Sequence, residues 1–300
     1  MKKVLVIGGL TATGKSMLAI NWAKKLDAEI ISADSVAVYK QLSIASAKPS
    51  AQEQLKVKHH GIDLLDVNQT YSIKDFQEYA REKIDEISNK GKLPILVGGS
   101  GLYIKSVLYD YQFNDEANQD DSWVLSLSNQ DLHNRLQKLD SREAEKIQLN
   151  NRKRIIRALT IINQQDKSKS QIIQEQNHQL QYDALMFCTY VDKDILHQNI
   201  DDRVDYMIEM GLRFEIEEAI KMTSWDAMSM AAIGVKEWRL YFESQSTLEE
   251  TIKTIKTKTK QFSKRQRTWF KHQFDCEWLD MQNRQQIIEA LLKVKAWKNI

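Results

Sequence analysis

The sequence predicts an α/β protein: a P-loop-type parallel sheet flanked by helices, interrupted by a mainly helical insertion. Three observations carry this. The apolar run Val4 to Ile7 leads into Gly9-Leu10-Thr11-Ala12-Thr13-Gly14-Lys15-Ser16. That string fits G-x-x-x-x-G-K-[ST] in the strand–loop–helix setting the motif requires. Short β-rich runs then alternate with helical stripes, as in a parallel sheet whose ligand loops gather at the strands' C-terminal ends. From about Asn114 the alternation stops, and a buried run resumes only near Ala184.

Taken in order, residues 3–7 read as a buried strand and 16–26 as a helix with Leu18, Trp22 and Leu26 on one face. A second strand, 28–33, ends at Asp34. A helix over 74–88 carries the stripe Phe76, Tyr79, Ala80, Ile84 and Ile87, and the strand 93–97 runs into Gly98-Gly99-Ser100-Gly101. An acidic loop (Asp115, Glu116, Asp120, Asp121) precedes helices expected over 129–139 and 141–162. Residues 163–181, rich in Gln, Ser and Asn, read as a partly helical connection. A strand over 184–191 and one long helix over 193–222 follow. The core is therefore assigned to 1–112 and 182–300, and the helical insertion to 113–181.

With 42% hydrophobic and 28% charged residues, the 300-residue chain has ample material for a core. Six of its ten glycines fall in two loops, at positions 8, 9, 14 and 98, 99, 101. A scarce, permissive residue concentrated in this way marks close backbone approach to something else. Cys188 and Cys276 are isolated from each other and from histidine clusters in the sequence, so neither a disulfide framework nor a zinc site is expected. No long apolar stretch reads as a membrane span, and a soluble cytoplasmic protein is expected. Net charge is only +2, yet residues 251–274 hold eight Lys or Arg and no Asp or Glu, and Arg152-Lys153-Arg154 with Arg157 forms a second basic cluster. Solvated helix faces interleave both signs, and these segments do not; they suit a nucleic-acid face.

In the glycine loop, consecutive backbone N–H groups and the helix N-terminus face an anion, Lys15 adds a point charge, and the Ser16 hydroxyl can hold Mg²⁺. Such a loop binds a di- or triphosphate without saying whose. Asp34 opens into the same crevice, where it could orient a metal or accept a proton from an attacking group. A helix N-cap role for Asp34 is disfavoured because Ser35-Val36-Ala37-Val38-Tyr39 is β-prone. ATP-driven motors place an acidic residue after the next strand; Ile95-Leu96-Val97 is followed instead by a second glycine loop.

Further blocks occur in order: Ile31 to Lys40, Ala47-Lys48-Pro49, His59-His60-Gly61-Ile62-Asp63, Tyr71-Ser72 and Val97 to Tyr103. Beyond them come Asn150 to Leu159, Arg203-Val204-Asp205, Met210-Gly211-Leu212, Ile233 to Glu237 and Gln261 to Phe270. Over nearly its whole length the chain resembles the bacterial tRNA dimethylallyltransferase (tRNA isopentenyltransferase) family. The resemblance implies transfer of a dimethylallyl group from dimethylallyl diphosphate to N6 of adenosine 37, in tRNAs reading codons that begin with U. It assigns the donor's diphosphate, with Mg²⁺, to Gly9, Leu10, Thr11, Ala12, Thr13, Gly14, Lys15 and Ser16, with Ser16 on the metal. Lys15 and Arg203 would neutralise the departing pyrophosphate, Thr11 and Ser16 would add hydroxyl contacts, and Asp34 would take the N6 proton.

The anticodon stem-loop would have its target base flipped into the site. Asp34, Ser35, Val36, Ala37 and Ser100 would grip that base. Lys153, Arg154, Ile155, Ile156 and Arg157, with Lys260, Lys264 and Arg265, would hold the RNA. Trp269 and Phe270, at helical spacing from Phe262, are expected in the core. The chain departs from the family's usual residues at Leu10, Ala45, Ser46, Ser100, Asn199, Val235 and Lys260. Two other readings stand beside this one: a kinase using the same loop for ATP, and a tRNA-binding protein without catalysis. A monomer is expected.

Overall fold

Val4 to Ile7 are wholly buried because strand β1 (Lys3–Gly9) lies inside a six-stranded, all-parallel sheet, seen in a computed structural model of the chain. The structure describes residues 1–111, 113, 122–165, 170–171 and 179–299. The other strands are β2 (Ala28–Ser32), β3 (His59–His60), β4 (Leu93–Val97), β5 (Asp183–Tyr190) and β6 (Glu277–Asp280), in the order β3-β2-β4-β1-β5-β6. β1 pairs with β4 on one side (Leu5 opposite Ile95) and with β5 on the other (Lys3 opposite Asp183 to Gly9 opposite Thr189). β2 and β3 thus lie out to one side of β1, β4 returns to fill the place between β2 and β1, and β5 and β6 are laid down on the other side. The C-terminal end of β1 sits at that switch, where open α/β sheets form their ligand crevice.

The strand's two-residue period splits its side chains between two cores. Val4 and Val6 pack with Phe76, Ala80 and Ile84 of helix α2 (Ile73–Asn89) and with Ile104 of helix α3 (Gly101–Leu108). Leu5 and Ile7 pack with Leu18, Trp22 and Leu26 of helix α1 (Lys15–Leu26) and, from the C-terminal helix Arg284–Lys298, Ala290 and Val294. Ser72 caps α2 in a reciprocal pair with Asp75.

The chain divides into two units, Asp110–Gln179 and the rest, whereas the sequence reading places the insertion at 113–181. In the smaller unit, helix α4 (Asn129–Leu139) is capped by Ser128, and helix α5 (Arg152–Gln165) lies in the same bundle. Leu132, Leu136, Ile147, Ile155, Ala158 and Leu159 form its core. The helix expected over 141–162 is instead two, Ser141–Ala144 and Arg152–Gln165. The acidic loop lies outside the described residues, as does most of 163–181.

The helix expected over 193–222 is also two: α6 (Lys193–Glu209) and α7 (Leu212–Met222). Gly211 at φ +96° turns the chain left-handed between them, a conformation cheap only for glycine. Helix α8 (Leu248–Gln273) runs 26 residues, started by a Thr247–Glu250 capping box. Cys188 and Cys276, far apart in sequence, meet: β5 and the approach to β6 bring their thiols within hydrogen-bonding reach, and both remain free. Burial pushes the Cys188 thiol up.

Candidate active site

The loop after β1 can form because Gly9, at φ +120°, lies against β5; a Cβ there would stand 2.6 Å from the Thr189 backbone N and O. Leu10 then turns inward beside Val191, Leu196 and Ile200, so its side chain anchors the loop while its carbonyl faces back along it. That carbonyl accepts from the Thr13 hydroxyl at 2.8 Å and from the Lys15 ammonium, and Thr13 Oγ1 lies 2.6 Å from Thr189 Oγ1. Buried Thr13 thus braces the loop, and Gly14 opens helix α1.

A cleft of about 480 Å³ opens beside this loop. Thr11, Lys15 and Ser16 line it from the loop and α1, Asp34 to Ala37 from the end of β2, Ser100 from the end of β4, Arg203 from α6 and Arg265 from α8. Burial, with Arg203 nearby, pulls the Lys15 ammonium down to about 7 against the opposing pull of Asp34. Burial also lowers Arg203, again with Asp34 opposing. One end of the cleft therefore gathers two basic groups, Lys15 and Arg203, with the Asp34 carboxylate beside them.

Asp34 Oδ1 accepts from the N–H groups of Val36 (2.8 Å) and Ala37 (3.3 Å). The segment after β2 is therefore a turn and not the extended stretch its β-prone residues suggest; no helix follows Asp34 directly, so one of its oxygens holds a turn rather than capping a helix. Local capture of backbone N–H groups by an Asp side chain outcompetes strand propensity.

Lys260, Lys264 and Arg265 all lie on α8. Lys260 pairs with Asp201 at 2.6 Å, Lys264 is exposed, and the Arg265 guanidinium lies 5.7 Å from the centre of the Phe262 ring. Phe270 is fully buried as expected. Trp269 is not: it keeps 36% of its surface exposed, with its ring against Gly101. In the helical unit, Lys153, Arg154 and Arg157 lie on the exposed face of α5. Ile155 has no exposed surface there, and Ile156 packs partly against the same core, which corrects the assignment of Ile155 to RNA contact. Ile155, Ala158 and Leu159 fill the buried face of α5, with Ile156 and Ile162 packed partly against it.

The departures from the family pattern have local roles. Asn199 Nδ2 donates to the Ala12 carbonyl at 3.1 Å, so α6 steadies the phosphate loop. The Ala45 N–H donates to Glu215 at 2.8 Å, and Val235 is wholly buried. Sequence reasoning missed Gln266 as a site residue. It lines the cleft and bonds both glycine loops; on a buried face that also holds Thr251 and Ser263, a further polar residue one turn before Phe270 gives periodicity nothing to single out.

A lysine-bearing glycine loop and a carboxylate from the neighbouring strand end, opening on one cleft, are the layout of a P-loop-type group-transfer enzyme. The chain belongs to the IPP transferase family, whose model matches residues 37–273. It is 41% identical over 284 residues to the tRNA dimethylallyltransferase of Bacillus subtilis (strain 168), covering 93% of this chain and 90% of that one. With the enzyme of the same name from Bacillus cytotoxicus it shares 39% over 296 residues, 97% of this chain and 94% of the relative. Among solved structures, the tRNA isopentenylpyrophosphate transferase of Bacillus halodurans superposes with a TM-score of 0.76 at 35% identity, covering 100% and 97% of the two chains. A eukaryotic dimethylallyltransferase acting on tRNA superposes with a TM-score of 0.86 at 31% identity, over all of this chain and 79% of the other. No helix among the described residues is long and apolar enough to cross a membrane.

Proposed function

We propose that this chain acts as a monomer in the cytoplasm. It transfers the dimethylallyl group of dimethylallyl diphosphate to N6 of adenosine 37 in tRNAs reading codons that begin with U, giving N6-dimethylallyladenosine and pyrophosphate. The observation that carries the reading is that Asp34 and Ser100 line the same cleft as Lys15, Ser16 and Arg203. A nucleophile held by the carboxylate therefore meets a donor whose leaving group lies on the cations. The N6 lone pair attacks the allylic carbon, the bond from that carbon to the diphosphate oxygen breaks, and the N6 proton passes to Asp34. Since Oδ1 is engaged by the turn, Oδ2 is the oxygen assigned to the amine. Lys15 and Arg203 stabilise the charge that grows on pyrophosphate.

The donor atoms present fit a cation that enters with the diphosphate. No cluster of three or more His, Cys, Asp or Glu suited to a metal exists among the described residues, and the Ser16 hydroxyl stands exposed in the first turn of α1. In phosphate loops of this kind a Ser or Thr hydroxyl contributes one ligand to Mg²⁺, substrate phosphate oxygens contribute others, and the ion keeps several waters. Bound there, it would neutralise diphosphate charge. The target base must leave the anticodon stack to enter the cleft, and basic Lys264 and Arg265 on α8, with Lys153, Arg154 and Arg157 of the helical unit, are assigned to the RNA backbone.

The test is incubation of the protein with an unmodified anticodon stem-loop carrying A36-A37-A38, Mg²⁺ and labelled dimethylallyl diphosphate. Label should enter RNA and should fall sharply with Asp34→Asn, which keeps the turn at Val36 and Ala37 and so should keep RNA binding. RNA bound without label transfer would favour a binding protein, and turnover of ATP in place of the prenyl donor would favour a kinase.

A further inference from the structure

Gln266 is 5% exposed, deep for a carboxamide, and both ends of its side chain are used. Oε1 accepts from the Thr11 N–H at 2.8 Å, and Nε2 donates to the Gly99 carbonyl at 3.0 Å. Only one orientation of the amide satisfies both, because an N–H must meet an acceptor and a carbonyl must meet a donor. The fit is close: a Cβ on Gly99 would stand 2.2 Å from Nε2. One side chain of α8 thus joins the phosphate loop after β1 to the glycine loop after β4. Thr11 is gripped twice, on its N–H by Gln266 and on its hydroxyl by Arg203 at 3.3 Å, and the next carbonyl, of Ala12, is held by Asn199.

We infer that Gln266 is a positioning residue, which sets the spacing of the two glycine loops and so pre-forms the backbone cradle for the donor's diphosphate. The inference rests on the diphosphate reading of the loop made above. A side chain needed only for packing could be apolar, since a buried amide is tolerated only when its hydrogen bonds are made. Here both bonds are spent on the two loops that bound the cleft. Loops carry little rigidity of their own, and a loop that must order on binding gives up affinity to do so.

The experiment uses the full chain and titrates inorganic pyrophosphate with Mg²⁺ by calorimetry, without RNA. Gln266→Met keeps length and volume but makes neither bond, and should weaken pyrophosphate about tenfold, the effect of roughly one lost hydrogen bond. Gly99→Ala, which drives the carboxamide away from the outside, should weaken it to a similar degree. The double variant should be little worse than either single, because both remove the same link. In steady-state transfer, KM for the prenyl donor should rise while KM for the stem-loop RNA stays unchanged, a split that general destabilisation would not produce. Binding by Gln266→Met within twofold of the parent overturns the inference, as do additive losses in the double variant. Should Gln266→Met not fold, Gly99→Ala decides alone: a loss near tenfold supports the link and a change under twofold ends it. A parent protein that takes no pyrophosphate overturns the diphosphate reading itself.

Discussion

Arg203 donates from Nη1 to the Thr11 hydroxyl at 3.3 Å, while its charge helps lower the ammonium of Lys15. The loop's own threonine therefore holds the arginine in place beside a second cation, and their repulsion is offset in part by Asp34. Two cations kept together in this way repel each other, and the diphosphate proposed for this loop would relieve that repulsion. Arg203→Met should lower turnover by about 10²–10³-fold, the range for losing one pre-set charge stabiliser. RNA affinity should change far less. Single-turnover transfer and filter binding on the same variant check this, and equal losses in both would place Arg203 on the RNA instead.

The lowered ammonium gives a pH signature. With Lys15 near 7, the free protein carries that charge at pH 6 and lacks most of it at pH 8. Bound diphosphate favours the charged form, so binding at pH 8 takes up a proton and affinity falls as pH rises through about 7. The same shift acts on folding in the opposite sense. Because the unfolded chain holds this proton up to the ordinary lysine range, Lys15 lowers stability below about 7, and the penalty is relieved as pH rises toward 10.5. Calorimetry with Mg²⁺-pyrophosphate in buffers of different ionisation heat should show uptake approaching one proton at pH 8 and little at pH 6. Lys15→Arg, charged throughout, should abolish the difference.

Much of this site could be read from the chain, for a physical reason. The loop after β1 is built from backbone N–H groups, so its glycines and Lys15 recur at fixed spacing and are visible without a fold. The strand runs around it are continuous and apolar, as buried parallel strands must be. What stayed hidden depends on contacts across the sequence or on local competition. Gln266 reaches Thr11 over a separation of 255 residues, and only the fold joins them. The turn after β2 exists because Asp34 captures two N–H groups that its β-prone neighbours would otherwise give to a strand. The break at Gly211 is invisible to periodicity, since Leu212 and Ile216 continue an apolar stripe on the far side. Ile155 falls inside the block Lys153 to Arg157, which the resemblance assigned to RNA as a whole, while the helical period turns it inward.

The turn that Asp34 holds and the proton acceptance proposed for it can be separated by substitution. Asp34→Asn keeps an oxygen able to accept from Val36 and Ala37, so the turn and the melting temperature should hold, but an amide takes no proton. Transfer should fall by about 10²–10⁴-fold, the usual worth of a general base, with stem-loop affinity within a few-fold of the parent. Asp34→Ala loses the turn as well and should also lower the melting temperature. If the Asn variant turns over at the parent rate, Asp34 is a capping residue and the proton goes elsewhere.

The basic residues and the isoleucine between them should fail in different ways. Lys264→Ala and Arg265→Ala remove exposed cations of α8, so each should weaken stem-loop binding a few-fold and reduce the slope of log affinity against log salt by about one. Neither should shift the melting temperature appreciably, because exposed charges contribute little to stability. Ile155→Ala instead opens a cavity in the helical unit, whose core is small, and should destabilise that unit by about 2–5 kcal/mol. Its salt slope should match the parent's, since no charge has been removed. A calorimetric melt alongside a salt series of binding curves tells the two effects apart. A changed slope with an unchanged melt for Ile155→Ala would return that side chain to the RNA face.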